Sequence, residues 1–93
     1  MKYAETISII MPSYNVANYI GETIESVLNQ TFSNWKLYII DDCSSDNTPN
    51  IIKRYASLDE RIILISNTKN LGPALSRNTG IKICQGRYIA FID

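Results

Sequence analysis

The chain has 93 residues, 45% of them hydrophobic and 19% charged, with little glycine or proline, which is the composition of one globular domain and argues against disorder. Nine basic and nine acidic residues give a net charge of zero. The chain therefore lacks the excess positive charge that non-specific binding to DNA or RNA requires. Cys43 and Cys84 are isolated and there is no histidine, which argues against a zinc site. We expect two reduced thiols, with a disulfide as the minority alternative.

No segment has the pattern of a targeting signal or a membrane span. The apolar run near the amino terminus is too short for the hydrophobic part of a signal peptide, and no stretch reaches the roughly 18–20 apolar residues that cross a bilayer. We therefore expect a cytoplasmic protein, with the inner face of the membrane as an alternative for a longer natural form.

Four clusters of β-forming residues predict the strands of one sheet. They are nearly continuous apolar runs rather than alternating ones. Strands of this kind are usually buried on both faces, as in a parallel sheet covered by helices. The predicted strands are Ile7–Met11, Leu37–Ile40, Ile62–Ile65 and Tyr88–Ile92.

Helical patterns fill the three intervals between these strands. Apolar residues recur with helical spacing from about residue 18 to residue 30. Thr48 and Pro49 are typical of a capping residue followed by the first turn of a second helix. A third helix is predicted after Gly72 and is closed by Gly86. The expected buried residues are Ile20, Ile24, Val27 and Leu28 in the first helix, Ile51, Ile52, Tyr55 and Ala56 in the second, and Ala74, Leu75, Ile81 and Cys84 in the third.

The resulting order, β-α-β-α-β-α-β, predicts a single α/β domain over residues 1–93. Because crossovers between parallel strands are right-handed, the expected fold is a Rossmann-like parallel sheet with helices on both faces. Ligands of such sheets bind at the carboxyl ends of the strands. The residues that follow each strand are therefore the candidates for a site.

The first two strands end in residues that suit a nucleotide. Pro12 and Tyr14 follow the first strand, where an aromatic ring can lie flat against a base or form the rim of an ordinary turn. Asp41 and Asp42 follow the second strand, and adjacent residues of an extended chain point in opposite directions. One carboxylate is expected to brace the loop while the other faces the pocket, although both could belong to the scaffold. We assign Asp46 mainly to capping the second helix.

The third and fourth strands contribute three further candidates. Asn70 belongs to a tight turn, and Arg77 lies about one turn into the third helix, where its planar donors suit a phosphate or the edge of a base. A salt bridge from Arg77 to Asp41 or Asp42 is the competing explanation. Asp93 follows the fourth strand, at the carboxyl edge of the sheet and beside the first strand.

Taken in order, these segments resemble the family 2 glycosyltransferases, which have the GT-A nucleotide-diphospho-sugar fold. The resemblance covers essentially the whole chain and is carried by ISIIMPSYNVANYIGETIESVLNQTFSNWKLYIIDDCSSDNT and by NLGPALSRNTGIKICQGRYIAFID, which leads into the family's D-x-D signature. It implies the amino-terminal, nucleotide-sugar-binding half of a GT-A fold, truncated at D-x-D.

Two residues depart from the family pattern. Cys43 replaces the usual glycine, so we expect a different turn after Asp42, and Ser76 replaces the commoner alanine, which we interpret as a neutral change.

The resemblance also implies roles for five of the candidates. Pro12 and Tyr14 would flank the base, usually uracil, and Asp42 would hold the base or the ribose. Asn70 and Arg77 would line the nucleotide pocket, with Arg77 reaching the base or a phosphate.

Asp93 would be the first aspartate of D-x-D, close to the ribose and donor sugar and only indirectly involved with the metal. The expected cofactor is Mn²⁺ or Mg²⁺, which neutralises the diphosphate leaving group. The implied activity is inverting transfer from a nucleotide-diphosphate donor, first of all a UDP-sugar, to a saccharide or lipid-linked acceptor, as in polysaccharide and cell-envelope biosynthesis. The main metal ligand and the catalytic base would lie beyond residue 93, so we expect the 93-residue chain alone to be inactive.

Other functions are weaker interpretations. A receiver-type signalling domain carries its acidic pair after the first strand, and here the pair follows the second. A dinucleotide-dependent oxidoreductase has G-x-G-x-x-G after the first strand, which this chain lacks. A non-catalytic binding or assembly domain of the same fold stays open, since fold alone does not fix activity. We also expect self-association through an exposed sheet edge.

Overall fold

A computed structural model describes residues 6–92 and has the predicted order of strands and helices. All strands are parallel, and their order across the sheet is β3-β2-β1-β4. The predicted α/β fold is therefore confirmed. The elements are β1 (Ile7–Ser13), α1 (Ile20–Leu28), β2 (Trp35–Asp41), α2 (Thr48–Leu58), β3 (Ile62–Ser66), α3 (Pro73–Ile83) and β4 (Tyr88–Phe91).

Helices cover both faces of the sheet, as predicted. Side chains of β1 alternate between the two faces: Ile9 and Met11 pack in the core formed with α1 and α2, whereas Ile10 packs in a smaller core on the side of α3. The sheet continues from β1 to β2 on one side and to β4 on the other. The winding thus changes direction at β1, which makes its carboxyl end the switch point where ligands of such folds bind.

The start of α2 differs from the prediction in its capping residue. Thr48 is the first residue of the helix rather than the residue before it. Its buried hydroxyl accepts a hydrogen bond from the Val16 N–H at 3.0 Å, which ties the entry of α1 to that of α2. Asn47 occupies the capping position without a side-chain bond, and the carboxylate of Asp46 accepts from the Thr48 N–H at 2.9 Å and from the Ala17 N–H at 3.1 Å.

The buried face of α3 was predicted wrongly. Leu75 and Ile81 are 52% and 40% exposed, and the fully buried positions of the helix are Ser76 and Gly80. These two residues are four apart and lie on one helical face. Because glycine and serine are small, the helix backbone approaches the sheet closely, and the larger apolar side chains are turned to its flanks.

The fourth strand is also less buried than predicted. All four residues of β4 are exposed, although their sequence is almost entirely apolar. β4 pairs with β1 on one side, and no strand within residues 6–92 pairs with it on the other. Among the helices of residues 6–92, none is long and apolar enough to cross a bilayer.

The contact of Gly80 with the sheet leads to a stability prediction. A Cβ at this position would lie 2.6 Å from Cγ2 of Ile10 and 2.9 Å from Cδ1 of Ile40, both fully buried. Overpacking of a core costs about 1–3 kcal/mol, partly offset by the better helix propensity of alanine, which is about 1 kcal/mol. We expect Gly80→Ala to lower the free energy of unfolding by up to about 2 kcal/mol, as measured in urea.

Gly21 provides the matched control for this prediction. It also lies in a helix, but a Cβ there would meet only the Tyr55 hydroxyl at 3.6 Å, an ordinary contact. We expect Gly21→Ala to leave stability unchanged or to raise it by up to about 1 kcal/mol. Equal effects of the two substitutions would contradict the close approach of α3 to the sheet.

Candidate functional site

A cavity of about 220 Å³ opens at the carboxyl ends of β1 and β2, beside the start of α3. Four of the residues predicted from the sequence lie in its wall, and the structure therefore brings them together. Whether they bind a nucleotide stays a prediction at this point. The cavity is lined by Pro12, Ser13, Tyr14, Asp42, Asn70, Gly72 and Pro73.

The aromatic wall of the cavity is held by Asn15, which the sequence analysis did not single out. Tyr14 is half-exposed at the rim, and the next residue, Asn15, has a positive φ of 50°. The Asn15 side-chain oxygen accepts from the Ser45 N–H at 2.8 Å, and the backbone N–H of Asn15 donates to the Ser44 hydroxyl at 2.9 Å. The loops after β1 and β2 are thus joined. An asparagine in a turn is the signal for such a position, since it tolerates positive φ better than most residues.

Asp41 is a scaffold residue. Its carboxylate is almost fully buried and accepts hydrogen bonds from the backbone N–H of Ser44 at 3.0 Å and from the Ser44 hydroxyl at 2.5 Å. These bonds close the turn that follows β2. Asp41 does not line the cavity, so it is the member of the acidic pair that only braces the loop.

Asp42 lines the cavity and braces a second loop at the same time. One carboxylate oxygen accepts from the Leu71 N–H at 2.7 Å and from the Asn67 side chain at 2.9 Å, and the other accepts from the Gly72 N–H at 2.9 Å. Gly72 is the residue immediately before α3. A negative charge at this place is favourable, because the free N–H groups at a helix start carry partial positive charge.

The hydrogen bonds around Asp42 also set its protonation state. Burial by itself raises the pKa of the Asp42 carboxyl, but the bonds from Leu71, Asn67, Gly72 and Ser76 outweigh it and hold the pKa below the ordinary value of 3.8. The carboxylate is therefore ionised at neutral pH. It can act there only as an acceptor of hydrogen bonds.

Asn67 and Ser76 complete this network, and neither was predicted as part of the site. The Asn67 amide donates to Asp42 and, at 3.0 Å, to the hydroxyl of Ser76, which is fully buried on α3. The serine that replaces the commoner alanine is therefore not a neutral change, because its hydroxyl takes part in holding Asp42. Asn70 donates from its amide to the Asp42 carbonyl at 3.3 Å and so stays against the cavity.

Arg77 does not reach this cavity. It is half-buried on α3, and its guanidinium lies over the ring of Phe91, 5.9 Å from the ring centroid, on the β4 side of the helix. Within residues 6–92 it forms no ion pair with Asp41 or Asp42, so the competing salt bridge is wrong. Arg77 is therefore absent from the wall of this cavity, and its expected contact with a base or phosphate stays a prediction.

The described residues do not test the predicted D-x-D position or the predicted metal. Asp93 lies outside the described residues. Among residues 6–92, no three His, Cys, Asp or Glu side chains are grouped closely enough to hold a metal ion. The described residues thus do not form a metal site by themselves.

Cys43 lies in the turn that follows β2, at a position where the family usually has glycine. It has a positive φ of 62°, in the left-handed region that favours glycine. Its thiol is free and exposed, with the sulfur 3.7 Å from the Thr68 carbonyl. The chain therefore keeps a conformation typical of glycine at this position and tolerates the strain of a side chain there.

This strain predicts a specific order of stabilities. A left-handed conformation costs an alanine about 1–2 kcal/mol, whereas glycine loses about 0.5–1 kcal/mol through its greater freedom when unfolded. We expect Cys43→Gly to be more stable than Cys43→Ala by about 0.5–1 kcal/mol in urea unfolding. Cys84, with a φ of −69°, is the matched control: there the glycine variant should be the less stable of the two. The same order at both positions would exclude strain at Cys43.

The bonds to Asp42 predict a stability that depends on pH. Asparagine keeps one acceptor oxygen but turns an amide donor toward backbone N–H groups, so Asp42→Asn should lower the free energy of unfolding by about 1–3 kcal/mol at neutral pH. The pKa of Asp42 in the folded state lies below the ordinary value of 3.8. The difference in free energy of unfolding between the wild type and Asp42→Asn should therefore be complete above about pH 3.8 and should decline as the pH falls below that value. Urea unfolding from neutral pH down to about pH 3 measures this. A constant difference over the whole range would refute the role of the ionised carboxylate.

Comparison with known proteins agrees with this geometry at the level of the family. The family model described as glycosyl transferase family 2 matches residues 8–93. The Escherichia coli UDP-Glc:alpha-D-GlcNAc-diphosphoundecaprenol beta-1,3-glucosyltransferase WfgD is 48% identical over 87 residues, which are 94% of this chain and 34% of that protein. The chain thus spans about a third of the length of this relative, and 10% of the length of the minor teichoic acid biosynthesis protein GgaB from Bacillus subtilis.

Two solved structures share the fold. TarS from S. aureus in complex with UDP superimposes with a TM-score of 0.86 at 30% identity, over 95% of this chain and 27% of that one. The mannosyltransferase PcManGT from Pyrobaculum calidifontis, in complex with GDP-Man and Mn²⁺, has a TM-score of 0.78 at 26% identity, over 88% of this chain and 25% of that one. The family model and these similarities confirm the resemblance read from the sequence: the chain belongs to glycosyl transferase family 2.

Proposed function

We propose that this chain carries the nucleotide-binding half of a glycosyltransferase, and that the cavity between β1, β2 and α3 binds the nucleoside part of a sugar-nucleotide donor. The observation that carries the proposal is the presence of an exposed aromatic ring and an ionised acceptor in one cavity at the switch point of the sheet. These groups are Tyr14 and Asp42.

The chemistry of the lining supports a nucleoside more than a phosphate. The ring of Tyr14 offers a surface for stacking a base, and Pro12 and Pro73 add rigid apolar walls. The charged residue in the wall is Asp42, whose carboxylate attracts N–H and O–H donors and repels phosphate. The base and ribose would therefore occupy the cavity, and the diphosphate would lie outside it.

The similarity to proteins with stated ligands makes UDP the first candidate nucleotide. The relative WfgD is described as using UDP-Glc, and the TarS structure contains UDP. The PcManGT structure contains GDP-Man and Mn²⁺, so GDP is the alternative. We propose a divalent cation, Mn²⁺ or Mg²⁺, for the complete enzyme, with Asp93 near the ribose and donor sugar and Arg77 close to a phosphate.

For the complete protein we propose inverting sugar transfer to a saccharide or lipid-linked acceptor, in polysaccharide or cell-envelope biosynthesis at the inner face of the membrane. The WfgD relative, whose name gives a diphosphoundecaprenol acceptor, supports the lipid-linked class. The groups that bind the metal and deprotonate the acceptor are assigned to residues outside this chain. Transfer of sugar by residues 1–93 alone would contradict that assignment.

Nucleotide binding can be tested on the chain itself by calorimetric titration with UDP, GDP, CDP and ADP. Stacking on an aromatic side chain is worth about 1–3 kcal/mol per base, so Tyr14→Ala should weaken UDP binding by about 5- to 150-fold. Tyr19→Ala is the matched control, since Tyr19 is also an exposed tyrosine, at 67% against 50% for Tyr14, but lies outside the cavity. Its affinity for UDP should stay within about twofold of the wild type.

Two results would overturn the proposal. One is the absence of binding by any of the four nucleotides to a folded chain, with and without Mn²⁺. The other is UDP binding that Tyr14→Ala and Tyr19→Ala weaken equally, because the ring at the cavity would then have no special part in it.

A further inference from the structure

Tyr14 is held from both sides by backbone bonds to the loop that follows β2. On one side, the carbonyl of Ser13 accepts a hydrogen bond from the Asp42 N–H at 2.8 Å. On the other side, the Asn15 N–H donates to the Ser44 hydroxyl at 2.9 Å. Tyr14 is thus the single residue between two points that the same loop fixes. A backbone fixed on both sides sets the direction of the Cα–Cβ bond and restricts the rotamers of the side chain.

The second of these points is supported by the buried carboxylate of Asp41. The Ser44 hydroxyl donates to one carboxylate oxygen at 2.5 Å, and the Ser44 N–H donates to the other at 3.0 Å. Hydrogen bonds in a chain polarise one another, so a hydroxyl that donates to a carboxylate is a better acceptor for the Asn15 N–H. A connected series of bonds therefore runs from Asp41 through Ser44 to Asn15, the residue beside Tyr14.

The conformation of Asn15 agrees with these bonds. Its φ is 50°, a region that asparagine tolerates better than most residues. Its side-chain oxygen accepts from the Ser45 N–H at 2.8 Å and from the Asp46 N–H at 3.3 Å. The chain thus turns sharply just after Tyr14, and bonds to the loop after β2 hold this turn.

We propose that Asp41, Ser44 and Asn15 position the ring of Tyr14 for the base of the nucleotide and so raise the affinity of the cavity from outside it. This inference rests on the proposed function. Within residues 6–92, none of the three lies in the wall of the cavity, so they are positioning residues whose effect passes through Tyr14. A ring that is in place before the base arrives need not be ordered on binding, which favours affinity.

Calorimetric titration of UDP into variants of Ser44 tests the proposal, because this side chain carries no charge and lies outside the cavity. Ser44→Ala removes the acceptor of the Asn15 N–H and the donor to Asp41 together. We expect the affinity for UDP to fall about 2- to 12-fold, the equivalent of ordering one side chain on binding. Ser44→Thr keeps the hydroxyl and should stay within about twofold of the wild type.

Asn15→Gly tests the same series at its other end. Glycine adopts the positive φ without strain but lacks the oxygen that accepts from the Ser45 N–H. It leaves Ser44 and Asp41 unchanged, and we expect UDP binding to weaken over the same range of about 2- to 12-fold.

A double-mutant cycle with Tyr14→Ala separates positioning of the ring from a general effect on the fold. In the Tyr14→Ala background, Ser44→Ala should change the affinity for UDP by less than about twofold, because no ring is left to position. A residue that only stabilised the fold would have the same effect in both backgrounds.

Asp46 provides the matched control. Its carboxylate also joins the loops after β1 and β2, but it does so at the Ala17 N–H, three residues beyond Tyr14. Asp46→Ala should lower the free energy of unfolding, as Ser44→Ala does, and leave the affinity for UDP within about twofold of the wild type. Urea unfolding of each variant shows that the titrated chain is folded.

Amide hydrogen exchange tests the series without a nucleotide. The Asn15 N–H should exchange faster in Ser44→Ala than in the wild type, because its acceptor is removed. In Asp46→Ala its exchange rate should stay close to that of the wild type. Equal rates in the wild type and Ser44→Ala would overturn the series itself.

The outcomes distinguish this inference from the proposed function. The inference alone is overturned if Tyr14→Ala weakens UDP binding while Ser44→Ala and Asn15→Gly do not. It is also overturned if Ser44→Ala weakens binding equally with and without the Tyr14 ring. A wild-type chain that binds no nucleotide overturns the proposed function and this inference with it.

Discussion

The carboxylate of Asp42 is the point at which the sheet, the third helix and the candidate cavity are joined. Asp42 directly follows β2, and the backbone N–H groups of Leu71 and Gly72, which donate to its carboxylate, lie just before α3. Through Asn67 and Ser76 it is bonded to the end of β3 and to the buried face of the helix. An ionised group can be buried here because donors surround it on several sides, and the wall of the cavity depends on the same donors.

This arrangement gives the Asp42 carboxylate a structural role beside its proposed role in binding. The backbone N–H groups at the start of α3, which in many folds bind the phosphate of a ligand, are here used by the chain's own carboxylate. A phosphate is thereby kept away from the helix start, and the cavity is left to uncharged groups that can donate hydrogen bonds. The same interaction that stabilises the loop therefore contributes to the proposed preference for a base and ribose.

Close packing of α3 against the sheet also decides where the larger side chains of this helix lie. Because Ser76 and Gly80 let the helix lie directly against Ile10 and Ile40, its larger side chains point sideways. Arg77 is carried with them toward Phe91 and away from the cavity. Apart from this contact, the side chains of β4 stay largely exposed within residues 6–92.

The sequence alone determined the order of the elements, the parallel sheet and four residues of the cavity, because these depend on local patterns. The patterns are apolar runs, helical spacing, and the position of Pro12, Tyr14, Asp42 and Asn70 near the carboxyl ends of strands. It also carried the family resemblance. It did not determine the partners of Asp42, the place of Arg77, the buried face of α3 or the exposure of β4. Those depend on which distant segments meet. The pattern of Leu75 and Ile81 predicted burial, but the size of Gly80 against Ile10 decided how α3 is turned, and only the tertiary structure contains that contact.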